Sequence, residues 1–188
     1  MPGHEIAAVK FNLQPILISD RLRSEPLVAS DFERLYAVAS DPLIWEQHPN
    51  PERYQRAVFE NYFKGAIESG GALLVIDGVT NEVMGSSRFY DLAFDPSKIS
   101  IGYTFLARKY WGTGCNRMLK ILMLDHAFQF VDRSVFFVGS GNGRSRKAME
   151  RLGGKYIGDE TVSYYGEIAK PNVIYAIDKI DWSHAANV

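Results

Sequence analysis

The spacing of apolar positions divides the chain into stretches of period two and stretches of period near 3.6. Residues 1–14 hold no sustained period and read as a loose lead-in, so a single domain is expected over residues 15–188. Residues 16–27 predict a first strand. Ser30 followed by Glu33 makes a capping box for a helix reaching Ala39, and Asp41-Pro42 stops it, because a residue before proline disfavours the helical region. A loop with Trp45, Glu46, Gln47, His48 and Pro49 comes next. Asn50-Pro51 then caps a second helix with the apolar stripe Tyr54, Val58, Tyr62 and Ala66, ended by Gly70-Gly71.

After Gly71 the pattern turns to strands. Residues 72–76, a turn at Asp77-Gly78, residues 82–90 and residues 99–106 predict an antiparallel meander. From Gly114, Met118, Leu119, Leu122, Met123, Ala127 and Phe130 recur at helical spacing, with Arg117, Lys120 and Gln129 outside. Residues 134–138 return to strand length, so strand, helix and strand over residues 99–138 form a parallel crossover unit. A helix over residues 144–152 ends at Gly153-Gly154, and strands at 155–165 and 173–180 make a hairpin around residues 166–171. The fold class is α/β, or α+β, with a mixed sheet.

Composition narrows the partners. With 188 residues, 46% of them hydrophobic, the chain can bury one substantial core. Its 21 Lys and Arg balance 22 Asp and Glu, which gives no general attraction to nucleic acid or to a membrane surface. Cys115 is the only cysteine, the first thirty residues lack a secretory pattern, and no apolar run approaches the roughly 20 residues that span a bilayer, so a cytoplasmic protein is expected. His4, His48, His126 and His184 have no metal-ligand spacing, and no metal is expected.

Chemistry concentrates at Gly112-Thr113-Gly114, where a strand hands over to a long helix. Unpartnered N–H groups and the helix dipole favour an anion there, and glycine lets a phosphate approach closely. Residues 108–120 hold four basic side chains and no acidic one, and residues 144–155 hold five against Glu150 alone. That clustering points to a small polyanion. A P-loop is absent, and Gly139-Ser140-Gly141-Asn142-Gly143 misses the dinucleotide pattern because Arg144 takes the third glycine's place.

These residues resemble the GNAT superfamily of acyl-CoA N-acyltransferases, whose pyrophosphate loop reads Arg/Gln-x-x-Gly-x-Gly/Ala. Lys109-Tyr110-Trp111-Gly112-Thr113-Gly114 matches it, with Lys109 in place of Arg or Gln. Arg21-Leu22-Arg23, Ile101-Gly102-Tyr103, Asn142-Gly143-Arg144-Ser145-Arg146 and Arg151-Leu152-Gly153 match in order, closest to the branch of ribosomal-protein N-terminal alanine and serine acetyltransferases. The resemblance implies a central sheet of about seven strands with a parallel splayed pair, about four helices, and acetyl-CoA as cosubstrate. The amides of Gly112, Thr113, Gly114 and Cys115 would hold the pyrophosphate, Phe105, Leu106 and Ala107 would pair with pantetheine, and Lys109, Asn142 and Arg146 would assist. Asn142 reads equally as a helix cap.

The implied activity is direct attack by a primary amine, a protein N-terminus or a small molecule, in a ternary complex with a monomeric or homodimeric protein. Ser145 would protonate the leaving thiolate, since Met149 occupies the place of a frequent tyrosine; it reads equally as a capping residue. Ser100 stands where the family often has a glutamate and would position a water, with Glu46, His48 or Asp91 as the base. Trp45, Tyr90, Tyr103, Tyr164 and Tyr165 are candidates to line the acceptor groove. Cys115 in the first helical turn reads as packing rather than as a nucleophile. The alternatives are a CoA-binding module without catalysis and a nucleotide-binding regulator.

Overall fold

The computed structural model describes residues 10–92, 94–163 and 167–185, and side chains only as far as residue 182. Eight strands form one sheet: β1 (Leu17–Ile18), β2 (Leu22–Pro26), β3 (Ala72–Asp77), β4 (Val83–Tyr90), β5 (Lys98–Leu106), β6 (Arg133–Gly139), β7 (Lys155–Val162) and β8 (Lys170–Asp178). Their order is β1-β2-β3-β4-β5-β6-β8-β7. Every neighbouring pair is antiparallel except β5 and β6, which lie parallel. Helices α1 (Phe32–Ala39) and α2 (Arg56–Glu68) cover one face, and α3 (Cys115–Ala127) and α4 (Gly143–Leu152) the other. A short α5 (Lys179–Ala185) follows β8.

Several sequence expectations shift. The first strand is two short ones, because Ser19 Oγ accepts the N–H groups of Arg21 and Leu22 and folds the chain back. The Ser30–Glu33 box does not form: the Asp31 carboxylate takes the Val28 N–H, and Glu33 instead pairs with Arg56. Asn50 does cap a helical start, but of a 3₁₀ turn over Pro51–Tyr54 that ends at extended Gln55. That break resets the helical phase, so the buried stripe of α2 is Phe59, Tyr62, Phe63 and Ala66, and Tyr54 is exposed. The last strand stops at Asp178, with helix from Lys179. Of the expected hairpin turn at 166–171, residue 166 lies outside the described residues, as do residues 1–9 of the lead-in, and β8 already begins at Lys170.

The meander, the long helix and the crossover stand where the pattern puts them. α3 buries Cys115, Leu119, Met123 and Leu124 against Ile99 and Ile101 of β5 and Phe136 and Val138 of β6. The left-handed Gly153 (φ 97°) closes α4, and its N–H takes the Glu150 carbonyl.

Candidate active site

β5 and β6 are paired over only three positions, Lys98 with Arg133, Ile99 with Ser134 and Ser100 with Val135. Beyond Ser100 β5 continues to Leu106 and β6 to Gly139 without a shared ladder, so the two strands part into a wedge. The cause is visible on β5. Between Gly102 and Phe105 it carries one more residue than β4 opposite, and Tyr103 takes a left-handed φ of 53°. The Ala107 N–H goes to the Met84 carbonyl at 2.8 Å, so alternation turns the polar groups of Phe105 and Ala107 to β4 and those of Leu106 to the wedge. The Leu106 carbonyl already accepts Trp111 Nε1 at 3.0 Å, leaving its N–H on the open edge.

Both helices that follow these strands begin at the wide end of the wedge, where parallel strands present ligand sites. Before α3, Gly112 (φ 72°) and Gly114 (φ 86°) hold left-handed conformations that a side chain would strain. The Thr113 N–H turns back to the Tyr110 carbonyl at 3.4 Å. The N–H groups of Gly112, Gly114, Cys115, Asn116 and Arg117 donate to no acceptor among the described residues. Five open amides at a helix start have the geometry of an anion cradle. Asn116 and Arg117 stand beside the expected residues with open amides, whereas the Thr113 amide is already engaged.

The cations counted along the sequence do not converge on this cradle. Arg108 pairs with Asp41, Lys109 with Glu82, and Lys155 with Asp181. Lys120, expected outside, is 6% exposed and points into the sheet, where Nζ donates to Thr104 Oγ1 and to Ser87 Oγ. Burial without a counter-charge lowers its pKa to about 7. A cation that the sequence gave no role at the turn comes instead: Arg21 in the β1–β2 turn donates Nη1 to the Thr113 carbonyl at 2.8 Å.

On the α4 side Asn142 is buried and caps the helix, its Oδ1 accepting the Ser145 N–H at 3.1 Å. The Ser145 side chain is half-buried. Arg146 reaches Tyr175 Oη and the Ser140 carbonyl, both at 3.3 Å. Met149 is core. Arg144 stacks 3.9 Å over the Trp111 ring, joining the start of α4 to the turn before α3. It also fastens the 44–47 loop, through the Ile44 carbonyl and Gln47 Oε1.

The opposite wall of the wedge is built by α2, that loop and β5. Ser100 is buried on β5, and Asp91, just past the end of β4, is half-buried with its pKa raised by desolvation, partly offset by the hydrogen bond from Ser100. His48 lies 3.2 Å from Arg53 Nη1 through Nε2, so that lone pair is engaged, and burial followed by the Arg53 charge holds its pKa well below the usual value. Arg53, 1% exposed, forms a two-pronged pair with Glu167 at 2.8 and 2.9 Å. Trp45 is core, its Nε1 on the Ala39 carbonyl, and does not line a groove. Tyr90 and Tyr103 are half-buried and meet edge to face at 5.2 Å. Tyr164 and Tyr165 lie outside the described residues.

A sequence model of the acetyltransferase (GNAT) domain matches residues 21–155. No curated protein matches the sequence. Among solved structures, a GCN5-related N-acetyltransferase from Brucella melitensis superposes with a TM-score of 0.75 at 22% identity, covering 90% of this chain and 81% of that one. A GNAT-family acetyltransferase from Bacillus anthracis gives 0.67 at 20% identity, over 88% of this chain and 99% of that one. A ribosomal-protein alanine acetyltransferase from Vibrio fischeri gives 0.62 at 16%, over 89% and 98%. These likenesses are of fold. Together with the domain match across the wedge and its flanking helices, they establish that the chain belongs to the GNAT acetyltransferase family.

Proposed function

We propose that the protein transfers an acetyl group from acetyl-CoA to a primary amine by direct attack in a ternary complex. The observation that carries this is the pairing of a splayed β5–β6 wedge with five open amides at its wide end. The amides of Gly112, Gly114, Cys115, Asn116 and Arg117 hold the pyrophosphate, where aligned N–H groups and the dipole of α3 favour its charge. Arg21 adds a cation at the same turn. The Leu106 N–H takes a pantetheine carbonyl along the β5 edge. Asn142 fixes the start of α4 by capping it.

The amine must be neutral to attack the thioester carbon, and its nitrogen sheds a proton as the C–N bond forms and the C–S bond breaks. Asp91 takes that proton through Ser100, which occupies the place of the family's frequent glutamate. Its raised pKa makes it a better base than an ordinary aspartate. His48 does not fill this role, because its Nε2 is turned to Arg53. Ser145, at the start of α4, donates a proton to the departing thiolate.

Calorimetry with acetyl-CoA, ATP and NAD tests the reading: heat with acetyl-CoA alone is expected, and heat only with a nucleotide would overturn it. Met149 in the core, where family members often place a proton donor, favours a second reading, a CoA-binding module without turnover. Thiol release across an amine panel separates the two.

A further inference from the structure

Two arginines lie buried on the α2 face of the sheet, stacked on the same tyrosine. Arg53 sits 4.9 Å and Arg88 5.6 Å from the centroid of Tyr62. Arg53 has its carboxylate, Glu167. Arg88, in β4 and 4% exposed, has none among the described residues: Nη1 makes one long bond to the Gly65 carbonyl at 3.4 Å, and Nε and Nη2 are buried without a partner. Its guanidinium carbon lies 3.8 Å from the centroid of the Tyr103 ring. The ring faces attract the charge, but they leave the in-plane N–H groups unanswered.

A guanidinium cannot escape by losing its proton, as a buried lysine can. Nor do its neighbours supply a counter-charge. Tyr62 and Tyr103 have pKa values raised by burial, so both remain neutral phenols. Among the described residues the α2 face of the sheet therefore holds, in Arg53 and Arg88 against Glu167, one more buried cation than carboxylate, with a fork shaped for a two-pronged oxyanion. Tyr103 covers that fork and is itself half-exposed, at the bulge of β5 three residues past its last pair with β6. Its backbone carbonyl is held by Tyr62 Oη at 3.0 Å, which fixes the strand at that point.

We infer that Arg88 binds a carboxylate of the acceptor, and hence that the acceptor is an amino-acid-like molecule carrying both an amine and a carboxylate rather than a plain amine or polyamine. This rests on the acetyltransferase reading. A carboxylate reaching Arg88 past the Tyr103 ring would complete the fork and leave its amine on the wedge side of that ring. Arg88 is thus a binding residue for the acceptor, with no part in proton transfer.

The test uses phenylalanine and leucine, each beside its decarboxylated amine, phenethylamine and isoamylamine. Thiol release gives kcat/KM for each, and calorimetry on the protein saturated with CoA gives binding without turnover. The wild type should favour the carboxylated member of each pair by about tenfold or more, through KM. Arg88→Met should erase the preference, and Arg88→Lys should keep part of it. Equal use of both members by the wild type, an unchanged preference in Arg88→Met, or no binding of either amino acid overturns the proposal. Failure of the underlying reading looks different, since acetyl-CoA itself then gives no heat.

Discussion

Lys120 and Asp91 are buried from opposite sides of the charge scale, and each leaves a measurable signature. Among the described residues the Lys120 amine has only hydroxyls for partners, Thr104 and Ser87, and burial brings its pKa to about 7. Unfolded, the same amine titrates near 10.4, so between about pH 7 and pH 10 the unfolded chain binds more protons and stability rises with pH. Below pH 7 the penalty for the buried ammonium is fully present. Lys120→Met should therefore raise stability most at pH 6.5 and least at pH 9.5, as urea unfolding of both proteins at both values will read. Asp91 carries a pKa above the usual carboxylate value because it is desolvated. As the base it must be ionised, so kcat/KM should rise with pH through a limb above that value, and Asp91→Asn should remove the limb and lower the rate by about 10²-fold or more. A full rate with an unchanged limb would take the role away from Asp91.

Neither residue announced its environment in the sequence. Lys120 sits two positions past Met118 and one past Leu119, and the helical period alone places it outside the apolar stripe. It is drawn inward because the bulge turns Thr104 to the α3 side, where its hydroxyl and that of Ser87 face the amine. The glycines of the phosphate turn were legible for the opposite reason. Their left-handed φ values and the helix start that follows are local properties, written in Gly112, Gly114 and the apolar period after them.

Among the elements, the 3₁₀ turn Pro51–Tyr54 and the segment leading into β8 are tied by Arg53 and Glu167, 114 residues apart in the chain. Side-chain exposures of 2% and 8% make this a buried ion pair. Removing one partner strands the other, so Glu167→Ala should cost about 3–5 kcal/mol, whereas Arg53→Leu together with Glu167→Leu should cost less than that single change. Denaturant midpoints of the three variants will show the order. The neighbouring loop is held as closely. Pro49 packs so near Gly139 at the end of β6 that a Cβ on that glycine would lie 2.3 Å from Pro49 Cγ. Element type was readable where the period was long, as in α3, and boundaries failed where a side chain took over a backbone bond, as Ser19 did in the expected first strand.

Across the whole molecule the wedge is the place where the sheet gives up its own bonding. β5 and β6 share only three register pairs, and the helices after them meet through Arg144 on Trp111. A ligand that pairs with the β5 edge and fills the amide cradle would restore lost hydrogen bonds on both sides. Acetyl-CoA at about a hundred times its Kd should stabilise the fold by about 2.7 kcal/mol, and Gly114→Val, strained at φ 86°, should lose that gain. Thermal unfolding with and without the ligand will measure it. A Gly114→Val protein that gained as much as the wild type would remove the cradle from the binding site.

By itself the sequence determined the order of the elements, the parallel crossover and the glycine turn that starts α3, because period, caps and left-handed glycines act within a few residues of one another. It could not determine which charges stand alone. Five of the nine cations it clustered near the turn and α4 were settled by long-range pairing, stacking or burial: Arg108 on Asp41, Lys109 on Glu82, Arg144 on Trp111, Lys155 on Asp181, and Lys120 under the sheet. Arg88, buried with no carboxylate among the described residues, stood in a strand with nothing in its neighbours to mark it. Tertiary structure decided this because a charge is satisfied by whatever lies within a few ångströms in space, and only folding brings Glu167 to Arg53 while leaving Arg88 without a carboxylate.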